Sequence, residues 1–214
     1  MLPLIVTCAV LWSLESVFPL YANVRSRRKN LALTAAVLLT NLAFSFVTAR
    51  IASIHVAAPP LIGAILALDL STYAAHVALH KSRLAWRFHR VHHSDAHVDV
   101  TTAFRQHPAE TIWRILAQWP AIVLLGIPMP ALAIYLTISA VNALLEHANI
   151  RVPERLDRFA RVLFVTPNMH KVHHSCDQRE TDTNYANIFS IWDRVFATYT
   201  RRADFAKLRY GLGQ

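Results

Sequence analysis

Four long apolar stretches constrain what this chain of 214 residues can fold into. An α-helix rises 1.5 Å per residue, so about 20 apolar residues cross a hydrocarbon core about 30 Å thick. Only 16% of the residues are charged, whereas soluble domains carry about 25%. The sequence therefore predicts an integral membrane protein, all-α in fold class, with a single domain over residues 1–214.

The limits of the apolar stretches give the predicted topology. The predicted spans are residues 1–22, 31–53 and 60–79, and a fourth apolar region covers 112–145. The fourth region is too long for one span, and Gly126, Pro128 and Pro130 interrupt it. We predict that it forms a re-entrant hairpin of two helices with about 14–16 residues each, which returns to its own side of the membrane.

Basic residues set the predicted orientation. The segment Arg25–Lys29 follows the first span and is rich in arginine, so the positive-inside rule places it in the cytoplasm. The first apolar run lacks a basic leader, which favours a retained span over a cleaved signal peptide. Residues 80–110 and 146–200 then emerge together as a cytoplasmic histidine-rich helical cap. The excess of arginine over lysine and the many alanines favour a bacterial inner membrane.

The net charge of +9 limits the kinds of partner that the chain is expected to bind. A basic surface suits anionic lipid head groups or an acidic protein. Because the chain is predicted to lie in a membrane, we expect no nucleic-acid partner.

Ten of the twelve histidines recur at spacings of three and four or lie close to such clusters. These spacings place imidazoles on one face of a helix. Neutral imidazole binds Zn, Cu, Fe and Ni, and a single zinc takes only three or four protein ligands. So many histidines therefore predict two metal ions. The candidate ligands are His76, His80, His89, His92, His93, His107, His147, His170, His173 and His174.

Asp69 and Tyr73 share a helix face with His76 and His80. An acidic residue inside an apolar span is costly and usually functional. Both side chains are candidates for holding the second ring nitrogen of a ligating histidine. The alternative is an aspartate that faces water near the middle of the span.

These residues, in this order, resemble the fatty acid hydroxylase/sterol desaturase superfamily. The matching segments are Asp69-x3-Tyr73-x2-His76-x3-His80, Trp86-x2-His89-x2-His92-His93-Ser94, Thr102-x2-Arg105-x-His107-Pro108, His147-Ala148-Asn149, His170-x2-His173-His174-Ser175, Asp182-Thr183-Asn184-Tyr185 and Trp192-Asp193-Arg194-x-Phe196-x-Thr198-Tyr199. The resemblance covers the chain from Asp69 to Tyr199. Eight histidines match the three histidine boxes of the family, His147 matches a further ligand, and His107 matches only some branches.

The resemblance implies the chemistry of the site. Two Fe ions, with O2 as co-substrate, would hydroxylate or desaturate a C–H bond of a membrane lipid, and zinc can replace iron in a purified sample. The chain ends soon after Tyr199 without a cytochrome domain, so a separate electron donor is expected. Ferredoxin, rubredoxin and a b-type cytochrome with its reductase are the candidates, and an acidic donor would suit the basic cap.

Two other functions fit histidine-rich membrane helices. A membrane metal transporter or metal-binding protein would carry metal without consuming O2. A zinc hydrolase or isomerase would act without O2 or a reductant. The sequence leaves the lipid open among sterols, fatty acyl chains, ether lipids, carotenoids and sphingolipids.

Overall fold

The structure is a computed structural model that describes residues 2–21, 27–52, 58–202 and 204–213. Within these ranges the chain is helical, and pairing between extended segments is limited to isolated bridges. This confirms the all-α prediction. The α-helices are α1 (Leu2–Val17), α2 (Arg27–Ala52), α3 (Leu61–Lys81), α4 (Arg83–His93), α5 (Pro108–Leu125), α6 (Met129–His147), α7 (Glu154–Ala160), α8 (Pro167–His173), α9 (Gln178–Thr181) and α10 (Ile191–Val195), with short 3-10 helices at Val100–Phe104 and Phe205–Lys207.

Three helices are long and apolar enough to cross a membrane, judged by length and composition. They are Asn30–Ala52, Leu61–Lys81 and Met129–His147. The first two agree with the predicted spans 31–53 and 60–79, although residue 53 lies outside the described ranges. The chain is therefore a membrane protein built as a helical bundle.

The first helix is shorter than the predicted span of residues 1–22. It ends at Val17 after 16 residues, which corresponds to about 24 Å. Beyond it, Pro19 forms an isolated bridge with Ile150, and the Leu20 amide donates to the Asn149 carbonyl at 3.1 Å. Residues 18–21 therefore belong to the cap. The side chains of the predicted cytoplasmic segment Arg25–Lys29 lie outside the described part of the chain.

A helix break divides the fourth apolar region, and the two helices on either side of it are longer than the predicted length of about 14–16 residues. Gly126 ends α5 in the left-handed conformation with φ 61°, and Pro128 precedes α6. The arms contain 18 and 19 residues, because α5 starts at Pro108 and α6 continues through Glu146. Helix ends are set by capping and proline, whereas the prediction placed them where charged residues begin. The re-entrant depth of the hairpin stays a prediction.

Helix α3 lies at the centre of the bundle. It packs against α5 on one side and α6 on the other, while α2 packs on α5 and α1 packs on α6. A buried apolar cluster joins α3 to both arms of the hairpin through Leu68, Ile122 and Leu132. At the C-terminal end of α3, α4 and α8 cover the bundle as a cap.

Candidate metal centre

The structure brings nine of the ten predicted ligands into two groups at the cap end of α3. Group one consists of His76, His80, His89, His93 and His173, and group two consists of His92, His147, His170 and His174. Within each group, one nitrogen from every side chain lies within 4.8 Å of the others. The cap therefore contains two neighbouring clusters of nitrogens that could each hold a metal ion.

Each H-x-x-H-H segment contributes to both groups. On α4 the outer pair, His89 and His93, joins group one, and His92 joins group two. The second segment does the opposite, because its outer pair joins group two and His173 joins group one. Residues four apart share a helix face, whereas adjacent residues point about 100° apart. One segment of this spacing can therefore bind two ions.

The ring nitrogens lie at the separations that ligands of a common ion require. In group two, His147 Nε2 is 3.1 Å from the Nε2 atoms of His92, His170 and His174. Two atoms bound about 2.1 Å from one ion at angles of 90–109° lie about 3.0–3.4 Å apart. The arrangement fits a metal ion without moving these rings.

Several ring nitrogens in group one have no protein partner. The Nε2 atoms of His80, His93 and His173 are buried and accept or donate no hydrogen bond among the described residues. A buried polar atom without a partner is unfavourable by about 1–3 kcal/mol. An ion bound by all three nitrogens would remove this cost, so the chemistry of group one also fits a metal.

Burial keeps the cap histidines neutral. Desolvation holds the pKa of each side chain well below the ordinary value of 6.5, and nearby histidines contribute in the same direction. Metal ions bind imidazole only when it is neutral. The histidines affected in this way are His89, His92, His93, His170, His173 and His174.

Backbone carbonyls orient several of the rings. His76 Nδ1 donates to the Tyr185 carbonyl at 2.7 Å, and His173 Nδ1 donates to the Thr183 carbonyl at 2.7 Å. Each bond places the proton on Nδ1 and leaves the Nε2 lone pair for an ion. In group two, His92 Nδ1 approaches the Arg105 carbonyl at 3.3 Å and His147 Nδ1 approaches the Ala143 carbonyl at 2.6 Å.

Two carboxylates to which the sequence assigned no role lie beside other rings of group one. Glu110 Oε1 lies 3.0 Å from His89 Nδ1 and accepts from Arg114 at 2.9 Å. Asp182 Oδ1 lies 3.4 Å from His80 Nδ1, and this contact lowers the pKa of the Asp182 carboxyl. A carboxylate behind a ligating histidine raises the basicity of the ligand. Asp182 already stood within a recognised segment, whereas nothing in the spacing singled out Glu110.

A third carboxylate lies beside group two. Glu146 is buried, and its Oε1 is 3.7 Å from the Nε2 atom of His170. Asn142 Nδ2 donates to the other carboxylate oxygen at 3.4 Å. Glu146 therefore faces the ligand side of group two, whereas Glu110 lies behind a ligand of group one.

Asp69 and Tyr73 do not bind the histidines as predicted. Asp69 accepts from the backbone amides of Ile188 at 3.1 Å and Phe189 at 3.0 Å, and from Trp192 Nε1 at 2.9 Å. The Tyr73 hydroxyl shares a hydrogen bond of 2.8 Å with Thr198. Both side chains anchor the 185–199 segment to α3, and that segment supplies the carbonyl that orients His76.

His107 lies in neither group. Its Nδ1 accepts from the Ala109 amide at 3.1 Å and caps α5, and its ring packs on Phe88 with a centroid separation of 5.0 Å. Neither of its ring nitrogens belongs to the two clusters of converging nitrogens. The proposed ligand set therefore contains nine histidines.

A buried lysine fixes the second segment in place. Lys171 Nζ donates to the Ala148 carbonyl at 2.5 Å, and burial lowers the pKa of the ammonium group to about 7. Glu15, to which the sequence assigned no role, accepts from the amides of Val100 at 2.7 Å and Asn149 at 2.6 Å. Both side chains join the cap to the end of α6, where His147 lies.

Comparison with known proteins shows which family the chain resembles in sequence. The fatty acid hydroxylase family model matches residues 61–198. The chain is 35% identical over 135 residues to the ornithine lipid hydroxylase OlsE of Rhizobium tropici, covering 61% of this chain and 39% of the relative. It is 31% identical over 149 residues to the alkylglycerol monooxygenase of Danio rerio, covering 70% of this chain and 32% of the relative. The human alkylglycerol monooxygenase is 30% identical over 151 residues, with the same two coverages of 70% and 32%.

The matched part spans well under half of the length of these relatives. No solved structure matches the chain significantly.

Proposed function

The chain belongs to the fatty acid hydroxylase family, and from this premise we propose that it hydroxylates a membrane lipid with two Fe ions held by its nine grouped histidines. The relatives support hydroxylation over desaturation, since they are named as a lipid hydroxylase and as monooxygenases. The two nitrogen clusters at the cap end of α3 are the observation that carries the proposal.

Bound iron would supply the activation of O2 and the oxidation of the C–H bond, with electrons from a separate donor such as a ferredoxin, a rubredoxin or a b-type cytochrome with its reductase. The chain itself supplies binding and position. Glu110 Oε1 lies 3.0 Å from His89 Nδ1 and accepts from Arg114, which places a carboxylate behind the His89 ring. The rings are buried, so water is excluded from the site.

The place of the site favours a lipid substrate. His76 and His80 lie in the last turns of a helix long enough to cross a membrane, and α6 brings His147 to the same level. An acyl chain can approach along these apolar helices with its head group at the basic cap. We propose a bacterial inner membrane with the cap in the cytoplasm.

The position of the two groups also disfavours a metal transporter. A conducting path needs ligands distributed along the spans, whereas these histidines lie together at one end of the bundle. A zinc hydrolase would need only one cluster of three or four ligands.

The test combines metal content with turnover. The full chain is purified in lipid nanodiscs, its iron is counted, and reductant-driven O2 uptake is measured with and without added lipids, whose oxidised products are identified by mass spectrometry. We expect two Fe ions per chain and lipid-dependent O2 uptake. Activity without O2, or metal that moves across sealed vesicles without lipid oxidation, would overturn the proposal. His107→Ala is the matched control for the ligand variants, because it removes a histidine outside the two groups.

A further inference from the structure

An apolar surface on the cap is exposed although it lies outside the long helices. Phe159 near the end of α7 is 81% exposed, and the other five residues of this surface, named below, are exposed as well. Contiguous exposed apolar patches mark sites that contact a protein or a membrane. The apolar cap surface consists of Phe159, Val162, Leu163, Phe164, Val195 and Phe196.

The 185–199 segment carries Val195 and Phe196 of this surface. It runs along α3 away from the cap end of that helix. Asp69 binds the amides of Ile188 and Phe189, and it lies 12 residues before Lys81 at the cap end of α3. At 1.5 Å per residue, the contact lies about 18 Å below that end. The cap segment therefore reaches the middle of a helix that is long enough to cross the membrane.

A second helix places the same segment at a similar depth. Asn187 Nδ2 donates to Ser139 Oγ of α6 at 2.7 Å, and the Asn187 carbonyl accepts from Asn142 at 2.5 Å. Ser139 lies eight residues before His147, or about 12 Å along the helix. Two long helices thus agree that residues 187–189 lie well below the histidine groups.

The apolar cap surface is attached directly to these residues. The rings of Phe164 and Phe189 are 5.8 Å apart, and the Ser190 amide donates to the Leu163 carbonyl at 3.0 Å. Phe196 stacks on Tyr73 of α3 with centroids 5.3 Å apart. The surface therefore lies beside α3.

Side chains bind several backbone groups in the irregular parts of the cap. Asp69 binds the two amides named above, and Asp193 accepts from the amides of Tyr185 at 2.7 Å and Ala186 at 3.0 Å. The Arg161 carbonyl accepts from Ser190 Oγ at 2.7 Å and from Arg194 at 2.8 Å. Non-helical backbone at membrane depth needs such internal partners.

We propose that the apolar cap surface is inserted into the lipid leaflet on the cap side and contacts acyl chains directly. Arg155 and Arg158 are exposed on the same short helix as Phe159. Their charges suit anionic head groups at the leaflet surface. The cap is therefore seated partly in the bilayer and does not stand wholly above it. This inference depends on α3 crossing the membrane, not on the proposed reaction.

The test measures the depth of single cysteines. Phe164→Cys and Val195→Cys are made in a Cys8→Ser, Cys176→Ser background, labelled with a fluorophore and placed one chain per nanodisc, which removes contact with a second copy. Quenching by brominated lipids is then compared with two references. Leu42→Cys on α2, 70% exposed, is the lipid reference, and Lys207→Cys, with its side chain 81% exposed, is the water reference.

We expect labels at Phe164 and Val195 to be quenched to at least about half the extent at Leu42, and the label at Lys207 to be nearly unquenched. Labels that behave like Lys207 would overturn the proposal. Hydroxyl-radical footprinting of the unsubstituted chain tests the same insertion without variants. Protection of Phe159 and Phe164 in nanodiscs supports insertion, and oxidation as rapid as at exposed Leu212 contradicts it.

Discussion

Group one and group two differ in what surrounds their rings. Group one has five histidines, and carboxylates approach the outer nitrogens of His89 and His80. Group two has four histidines, carbonyls at two of its outer nitrogens, and Glu146 on its ligand side. A carboxylate behind a histidine strengthens its bond to metal. Two similar clusters of imidazole therefore should not hold metal equally, and group one should hold it more tightly.

Removing one ligand from each group gives the largest expected effect. His173→Ala in group one and His147→Ala in group two should each abolish lipid-dependent O2 uptake and reduce bound iron from about two ions per chain to about one. Metal analysis and O2 uptake check this together. A His173→Ala chain that turns over normally would mean that the second H-x-x-H-H segment is only structural.

Acid should destabilise the fold around both groups, whereas each ligand variant acts on one group. The pKa values of the α4 and α8 histidines are lowered by burial in the folded chain. The unfolded chain binds protons as pH falls through about 6.5, but the folded chain does not. The stability of the metal-free protein is therefore complete above pH 6.5 and decreases below it, by up to about 1.4 kcal/mol per pH unit for each histidine.

Denaturant titrations of the metal-free protein at about pH 7.5 and about pH 5.5 measure this change. Equal free energies of unfolding at the two values would contradict the burial of neutral histidines.

Replacing the acidic residues tests the comparison most directly. Glu110→Gln should lower the iron affinity of group one by about 10–100-fold and leave group two unchanged. Glu146→Gln should affect group two alone. Competition with a chelator, followed as two successive losses of iron, separates the groups. If Glu110→Gln altered both losses alike, the carboxylate would not be specific to group one.

His107→Ala should have the smallest effect. It removes the side-chain cap of α5, which lowers the free energy of unfolding by about 1 kcal/mol, and it leaves both ions in place. Thermal unfolding and iron content measure the two effects. Loss of an iron ion would return His107 to the ligand set.

The positions of the long helices follow closely from hydropathy, but their ends do not. The sequence located the break at Gly126 and Pro128, because glycine and proline act locally. The end of α1 at Val17 was missed, since it depends on how residues 18–21 pair with the distant segment at Asn149 and Ile150. Asp69 was recognised as costly and functional, yet its partners lie more than 100 residues away.

By itself, the sequence determined that this chain is an all-α membrane protein with enough paired histidines for two metal ions. Residue type and spacings of three and four are local properties, and they suffice for that conclusion. The tertiary structure decided which histidine joins which group, that Glu110 supports His89, and that His107 caps a helix instead. Those outcomes depend on how helices distant in sequence approach each other, which spacing along the chain does not encode.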